Sequence, residues 1–354
     1  MSQTRRSPAP EPKVSVITPV YNGATHLAAA IDSVLAQSYA NWDYVIFDNC
    51  STDETRAIAE GYAARDARIR VVSNTDFLPI IANWNAALRR ISEDSQYCKV
   101  LHADDWLLPD CLTRMVALAE GHPRVGMVGA YVQEGRDIAG KGLPVEQSVV
   151  PGADVCRETL LQNYYLFGSP SALLLRAEDV RRRPRGFYDE RYFHADLEVC
   201  YRVLMESDFG FVHEPLTGSR KHAGSMTNTV AWRFSTHMVE YMGLMRAYGP
   251  HYLGKDRFRR EHDQMLRAYR RLLARRVISG RGREFWGYHK TKMEQFGYDL
   301  TFGDVVAGAL GEVGALLASP AYAAVELPKM YKVVRSSLRG APGKDPNGRA
   351  ARAR

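Results

Sequence analysis

Asp104 and Asp105 stand side by side where the apolar run 97–101 gives way to His102-Ala-Asp-Asp105. Two adjacent carboxylates there repel each other and lose solvation. A divalent cation relieves both penalties. Hard ions of this kind take oxygen donors, and Mg2+ commonly bridges to substrate phosphates. A helix N-cap or an exposed turn is the plain alternative, because Pro109 opens a helical pattern soon after. Two further polar clusters also end apolar runs, Pro19-Val-Tyr-Asn-Gly23 and Asp48-Asn-Cys-Ser-Thr-Asp53. Asp48 lies between a strand pattern and a cap signal, a place from which it could accept hydrogen bonds from a base imide or a ribose. Ser51-Thr-Asp-Glu54 matches a capping box, so Ser51, Thr52 and Asp53 are first of all helix-starting residues. A fourth cluster joins Asp196 to Arg202 in Asp-Leu-Glu-Val-Cys-Tyr-Arg, where a carboxylate at a helix start is often only a cap.

The elements that must position these residues alternate in period. Val14–Val20 is an apolar strand run, and 24–37 repeats Leu27, Ala30, Ile31, Val34 and Leu35 at helical spacing. Strands follow at 44–47, 69–72, 97–102 and 125–132, with helices through about 64, over 80–91 and from Pro109 to about 120. Such alternation predicts a mainly parallel α/β sheet with helices on both faces. Ligands in such sheets bind beyond the carboxyl ends of the strands, where three of the four clusters fall. Residues 134–150 read as a loop, 152–163 as a helix, 171–175 as a strand, 197–205 as a helix and 209–213 as a strand. From about 229 the pattern is all helical.

The chain has 354 residues, 45% hydrophobic and 25% charged, which allows a full core. Pro- and Arg-rich ends at 1–12 and 341–354 predict disorder there. The net charge of +7 is uneven. Residues 255–292 hold thirteen Lys/Arg against four acids, and 329–354 hold eight against one, so the remainder is net acidic. That distribution argues against a nucleic-acid binder. Five cysteines without a CxxC pair favour a reducing, cytoplasmic setting over a disulfide framework or zinc knuckle, and no signal peptide is evident. The segment 303–325 is apolar but rich in Ala and Gly, carries Glu312 and meets Pro320, so it falls short of a spanning helix. A helix packed on the domain or lying in a membrane interface is expected instead. Arg alternates with apolar residues through 265–276. That pattern fits either attachment to an anionic membrane surface or a solvated helical face.

Together the four clusters resemble the family-2 glycosyltransferases, which have the GT-A fold. The likeness runs over 13–228, with 229–340 as a basic helical extension. It implies a nucleoside-diphosphate sugar donor, a saccharide or lipid-linked acceptor, and Mg2+ or Mn2+ on Asp104 and Asp105. Pro19, Tyr21, Asp48, Asn49, Asn83, Asp104, Arg220 and His222 would bind the donor, Ser225 would lie near it, and Asp196 would be the general base of an inverting transfer. Four departures stand out: Asn49 where a second acid is common, His102 where the DxD segment often begins with Asp, Ala195 in place of a Glu, and Trp84 near the place of an Arg. A sugar-nucleotide-forming enzyme would need a Gly-rich basic loop after the first strand and a dehydrogenase GxGxxG; neither is present. A catalytically inactive scaffold is the other alternative, kept open by His102 and Ala195.

Overall fold

The computed structural model describes residues 11–183, 186–220, 230–278, 281–322, 324–325 and 327–328. The chain divides into two units, Met1–Ser225 and Met226–Arg354.

In the first unit the elements run β1 (Val14–Val20), α1 (Ala24–Leu35), β2 (Trp42–Asp48), α2 (Thr55–Ala63), β3 (Ile69–Ser73), α3 (Ile80–Leu88), β4 (Tyr97–Val100), β5 (Trp106–Leu107), α4 (Cys111–Gly121), β6 (Val125–Glu134), β7 (Asp137–Ala139), β8 (Val149–Pro151), α5 (Gly152–Leu160), β9 (Leu174–Arg176), α6 (Ala177–Arg181), α7 (Ala195–Val203) and β10 (Asp208–Gly218). The ten strands form one sheet in the order β3-β2-β1-β4-β9-β6-β10-β5, with β7 on β6 and β8 on β10. Strands β3, β2, β1 and β4 are parallel, as are β6 and β10, while β5, β7, β8 and β9 run antiparallel to their neighbours. This is the mainly parallel α/β sheet expected from the alternation.

Every residue of β1 and β2 is buried, as strands covered on both faces must be. Leu27, Ala30, Ile31 and Val34 of α1 and Met115, Val116 and Ala119 of α4 close the core on one side. Each fully buried Val, Leu, Ile or Met side chain among them contributes about 1.5–3 kcal/mol. Register then sets the site. Val20 pairs with Asp48 and Asp48 with Ser73, so three strands end abreast. Strand β4 stops opposite Ile17, and the Leu101 N–H still donates to the Ile17 carbonyl at 2.9 Å. Pro19 shares that side of β1 by alternation, and its missing N–H falls where β4 has already left the ladder.

The second unit holds α8 (Trp232–Phe234), α9 (Thr236–Leu253), α10 (Lys255–Ile278), α11 (Arg283–Gln295) and α12 (Phe302–Ala318). Val239, Met242, Met245, Tyr269, Leu273, Phe285 and Met293 are buried within it. His289 is fully buried, bonded to the Tyr269 hydroxyl at 2.7 Å and the Phe234 carbonyl at 2.8 Å, and burial pushes its pKa down to about 4. Helix α12 lies so close on α10 that a Cβ at Gly308 would come within 2.0 Å of the Arg270 carbonyl oxygen.

Several local expectations shift. The segment 134–150 contains β7, which turns back onto the end of β6 as a hairpin, and β8, which pairs with β10 remote in sequence. Strand β10 runs on to Gly218, past the expected end at 213. The capping box does not form. Instead the Ser51 hydroxyl accepts from the Asn22 N–H at 2.9 Å, and Asp53 accepts from the Ala24 N–H at 3.1 Å and the Thr55 N–H at 3.0 Å.

Candidate active site

The loops after β1 and β2 are knitted to each other, which fixes the first two clusters as one rim. Besides the Ser51 and Asp53 bonds, the Thr52 N–H donates to Asn22 Oδ1 at 2.8 Å and the Gly23 N–H to Thr55 Oγ1 at 2.8 Å. Asn22 sits at φ 50, a left-handed conformation that Asn tolerates. A side chain at Gly23 would strike Val20 Cγ2 at 2.5 Å. Within this rim Pro19 is buried in β1 and Asp48 is buried at the end of β2, its carboxylate accepting from the Ser51 N–H at 3.1 Å. Asn49, next to Asp48, is fixed by the chain itself. Its amide donates to the Leu78 carbonyl at 2.8 Å and accepts from the Leu78 N–H at 3.0 Å, bracing the loop after β3. That loop carries Phe77, which meets Tyr21 edge to face at 4.9 Å; both rings are about half exposed, at 58% and 48%. An exposed aromatic pair beside strand ends is a surface on which a flat base can stack. Asn83, in α3, is buried, and its Oδ1 has no partner among the described residues.

The acidic cluster is larger than its sequence suggested. His102, Asp104 and Asp105 each offer a ligand atom, and these atoms lie within 4.8 Å of one another. The Thr18 hydroxyl donates to the Leu101 carbonyl at 2.7 Å and the His102 N–H donates to Ser171 Oγ at 3.0 Å, which anchors the turn. Asp105 is 4% exposed. Burial pushes its carboxyl up, against the pull of His102 and hydrogen bonds to Ser171 and Ser219. His102 Nε2 is buried and has no hydrogen-bond partner among the described residues. Such an orphaned nitrogen is costly unless a ligand completes it. It stands among oxygen donors, so the trio fits a divalent cation. Beneath it the fully buried Lys99 of β4 has its pKa lowered by burial, while neighbouring Cys111 and Asp105 pull it back up. A lysine inside an apolar run was the available signal for that residue.

Arg220 donates to the Asp104 carbonyl at 2.8 Å and lies 4.7 Å over the Trp106 ring, so it buttresses the acidic turn. His222 and Ser225 lie outside the described residues.

Asp196 occupies the first turn of α7 and is partly exposed. Burial pushes its pKa up, opposed by the Leu197 N–H, by His102 and by its own N–H. An interaction with His102 lowers both Asp105 and Asp196, which puts the acidic turn and α7 in one neighbourhood. Trp84 forms the floor between them: its ring lies 4.8 Å from His102 and 5.3 Å from Tyr188, and Tyr188 in turn feels Asp196. Asn85 fixes Tyr188 by bonding its N–H at 2.8 Å and its carbonyl at 2.9 Å. Arg202 does not join Asp196. It pairs with Glu198 at 2.9 Å and donates to the Phe187 carbonyl, holding the loop that carries Tyr188.

The family model for Glycosyl transferase family 2 matches residues 15–170. EpsE of Bacillus subtilis, named as a glycosyltransferase, is 31% identical over 213 residues, covering 56% of this chain and 74% of EpsE. The Escherichia coli WfgD, named UDP-Glc:alpha-D-GlcNAc-diphosphoundecaprenol beta-1,3-glucosyltransferase, is 30% identical over 129 residues, covering 36% of this chain and 49% of WfgD. Among solved structures, the mannosyltransferase PcManGT from Pyrobaculum calidifontis, in complex with GDP-Man and Mn2+, superposes with a TM-score of 0.52 at 17% identity. The match covers 95% of this chain and 89% of that one, and the shared fold is GT-A.

Proposed function

This chain belongs to glycosyl transferase family 2 and is a glycosyltransferase, and from that premise we propose a metal-assisted, inverting transfer from a nucleoside-diphosphate sugar. The observation that carries the proposal is the donor trio of His102, Asp104 and Asp105, tied through the Trp84 ring to Tyr188 on the loop before α7. His102, Asp104 and Asp105 would hold Mg2+ or Mn2+. When bound, such an ion offsets negative charge building on the departing diphosphate. The Tyr21–Phe77 pair and the unpartnered Asn83 carbonyl favour a nucleoside between them and the end of β2. Asp196 takes the proton of the acceptor hydroxyl onto its carboxylate as that oxygen bonds to the anomeric carbon. The bond from that carbon to the diphosphate oxygen breaks from the opposite face, and its electron pair leaves with the diphosphate. Burial raises Asp196 toward the working pH, where a base is most effective.

The WfgD name specifies a lipid-linked diphosphate acceptor, which supports a saccharide or lipid-linked acceptor in bacterial surface glycan assembly as the reading for this chain. Free thiols at all five cysteines support a reducing, cytoplasmic setting. Calorimetry with UDP- and GDP-sugars in Mn2+, beside turnover, tests the reading. Asp196→Asn should keep donor affinity and lose roughly two to four decades in kcat. Near-wild-type turnover of that variant removes the base assignment, and full activity in EDTA removes the cation.

A further inference from the structure

Helix α12 wears its polarity inside out. Its only charged residues, Asp304 and Glu312, face inward and pair with Arg270 at 2.7 Å and Arg275 at 2.9 Å. Its outward face carries Phe302, Val306, Leu310, Val313 and Leu317, of which Phe302, Leu310 and Leu317 are 82%, 70% and 81% exposed. At 3.6 residues per turn these five side chains fall within an arc of about 80°. A helix facing water has the opposite arrangement. A contiguous apolar stripe of this kind marks an interaction surface.

The groove beside the stripe identifies what covers it. A cavity of about 260 Å³ between α10 and α12 is lined by Arg267, Arg270, Arg271, Ala307 and Gly311. Arg270 is held by Asp304, while Arg267 and Arg271 have no carboxylate partner among the described residues. Two unneutralised guanidinium groups therefore flank five exposed apolar side chains. A second copy docking through the same face would bring these cations together. No helix among the described residues is long and apolar enough to cross a membrane. An apolar stripe bordered by arginines fits a bilayer surface with anionic headgroups, the stripe entering the acyl boundary and the guanidinium groups meeting phosphates. The sequence beyond α12 adds eight Lys/Arg against one acid over 329–354.

We propose that the α10–α12 face is a docking surface for an anionic membrane. It stands on the second unit's own surface and does not depend on the identity of the acceptor. Flotation of the full chain with phosphatidylglycerol-containing vesicles, against neutral phosphatidylcholine vesicles, tests it at low and physiological salt. Binding should require the anionic lipid. Arg267→Glu with Arg271→Glu should lower partitioning by about 30-fold or more. Leu310→Glu with Leu317→Glu should lower it by roughly 100-fold or more. Unchanged melting and unchanged nucleotide-sugar affinity report that the variants are folded. If the double Leu variant fails to fold, Leu317→Gln carries the same test. Equal binding to neutral vesicles, no binding at low salt, or wild-type partitioning of either variant set overturns the proposal. So does a dimer in light scattering that the Leu variants abolish while vesicle binding is absent.

Discussion

In the helical unit Asp304, Glu312 and Glu240 are each met by a cation, Arg270 at 2.7 Å, Arg275 at 2.9 Å and Lys292 at 3.3 Å. In the sheet unit buried Asp105 and half-buried Asp196 have no Lys or Arg ion pair among the described residues, and desolvation raises both. The first arrangement is what scaffolding looks like, because a paired charge is compensated within the chain. The second keeps charges in an unfavourable state that only a ligand or a proton relieves, which is how perturbed groups collect at functional sites. The partner of a buried acid is therefore more informative than its burial.

The largest effect that tests this contrast lies in the helical unit. Arg275→Met leaves Glu312 nearly buried with the Tyr322 hydroxyl as its hydrogen-bond donor among the described residues. The variant should lose about 1–3 kcal/mol, up to roughly 100-fold in the folding equilibrium. Partial exposure of Arg275 keeps the loss below that of a wholly buried pair. Adding Glu312→Leu should recover most of it. Urea unfolding measures both variants, and equal stability of Arg275→Met and wild type would mean the pair is not scaffolding.

The parallel half of the sheet is legible in the sequence because β1 to β4 are apolar runs separated by helical periodicity. Strands β5, β8 and β9 are two or three residues long and owe their existence to remote partners, a signal no local pattern carries, while the three residues of β7 only fold back on the end of β6. At the site, Asp104, Asp105, Asp48 and Asp196 stand out as acids next to strand or helix boundaries. His102 was legible only as a departure from a motif, since the Trp84 ring and Ser171 hydroxyl that orient it come from distant segments. Phe77 is an ordinary loop aromatic until the fold brings it to Tyr21. Conversely, the Glu198–Arg202 pair has ordinary helical spacing and could have been separated from Asp196 on that ground alone.

A smaller effect sharpens the account of the unpaired group. Imidazole suits later transition ions better than Mg2+, whereas carboxylates suit Mg2+ and Mn2+. His102→Asp should therefore narrow the preference for Co2+ over Mg2+ by about tenfold. Competition calorimetry gives the ratio, and the visible spectrum of bound Co2+ should change as a nitrogen donor is lost. An unaltered spectrum and ratio would take His102 out of the donor set.

The smallest effect has the most telling sign. The folded chain binds the Asp196 proton more tightly than the unfolded chain, because burial raises the folded pKa. Its contribution to stability is full below the ordinary carboxylate value and is lost as pH rises through the folded value. At neutral pH the ionised side chain is therefore held against the fold's own preference. Asp196→Asn removes that burden while removing the base, so it should melt above wild type at neutral pH, with the gap closing as pH falls into the carboxylate range. Arg275→Met moves the other way at neutral pH, and the opposed signs separate a functional acid from a structural one. A variant that melts below wild type at neutral pH would put Asp196 in the same class as Asp304 and Glu312, as an acid the fold uses for itself.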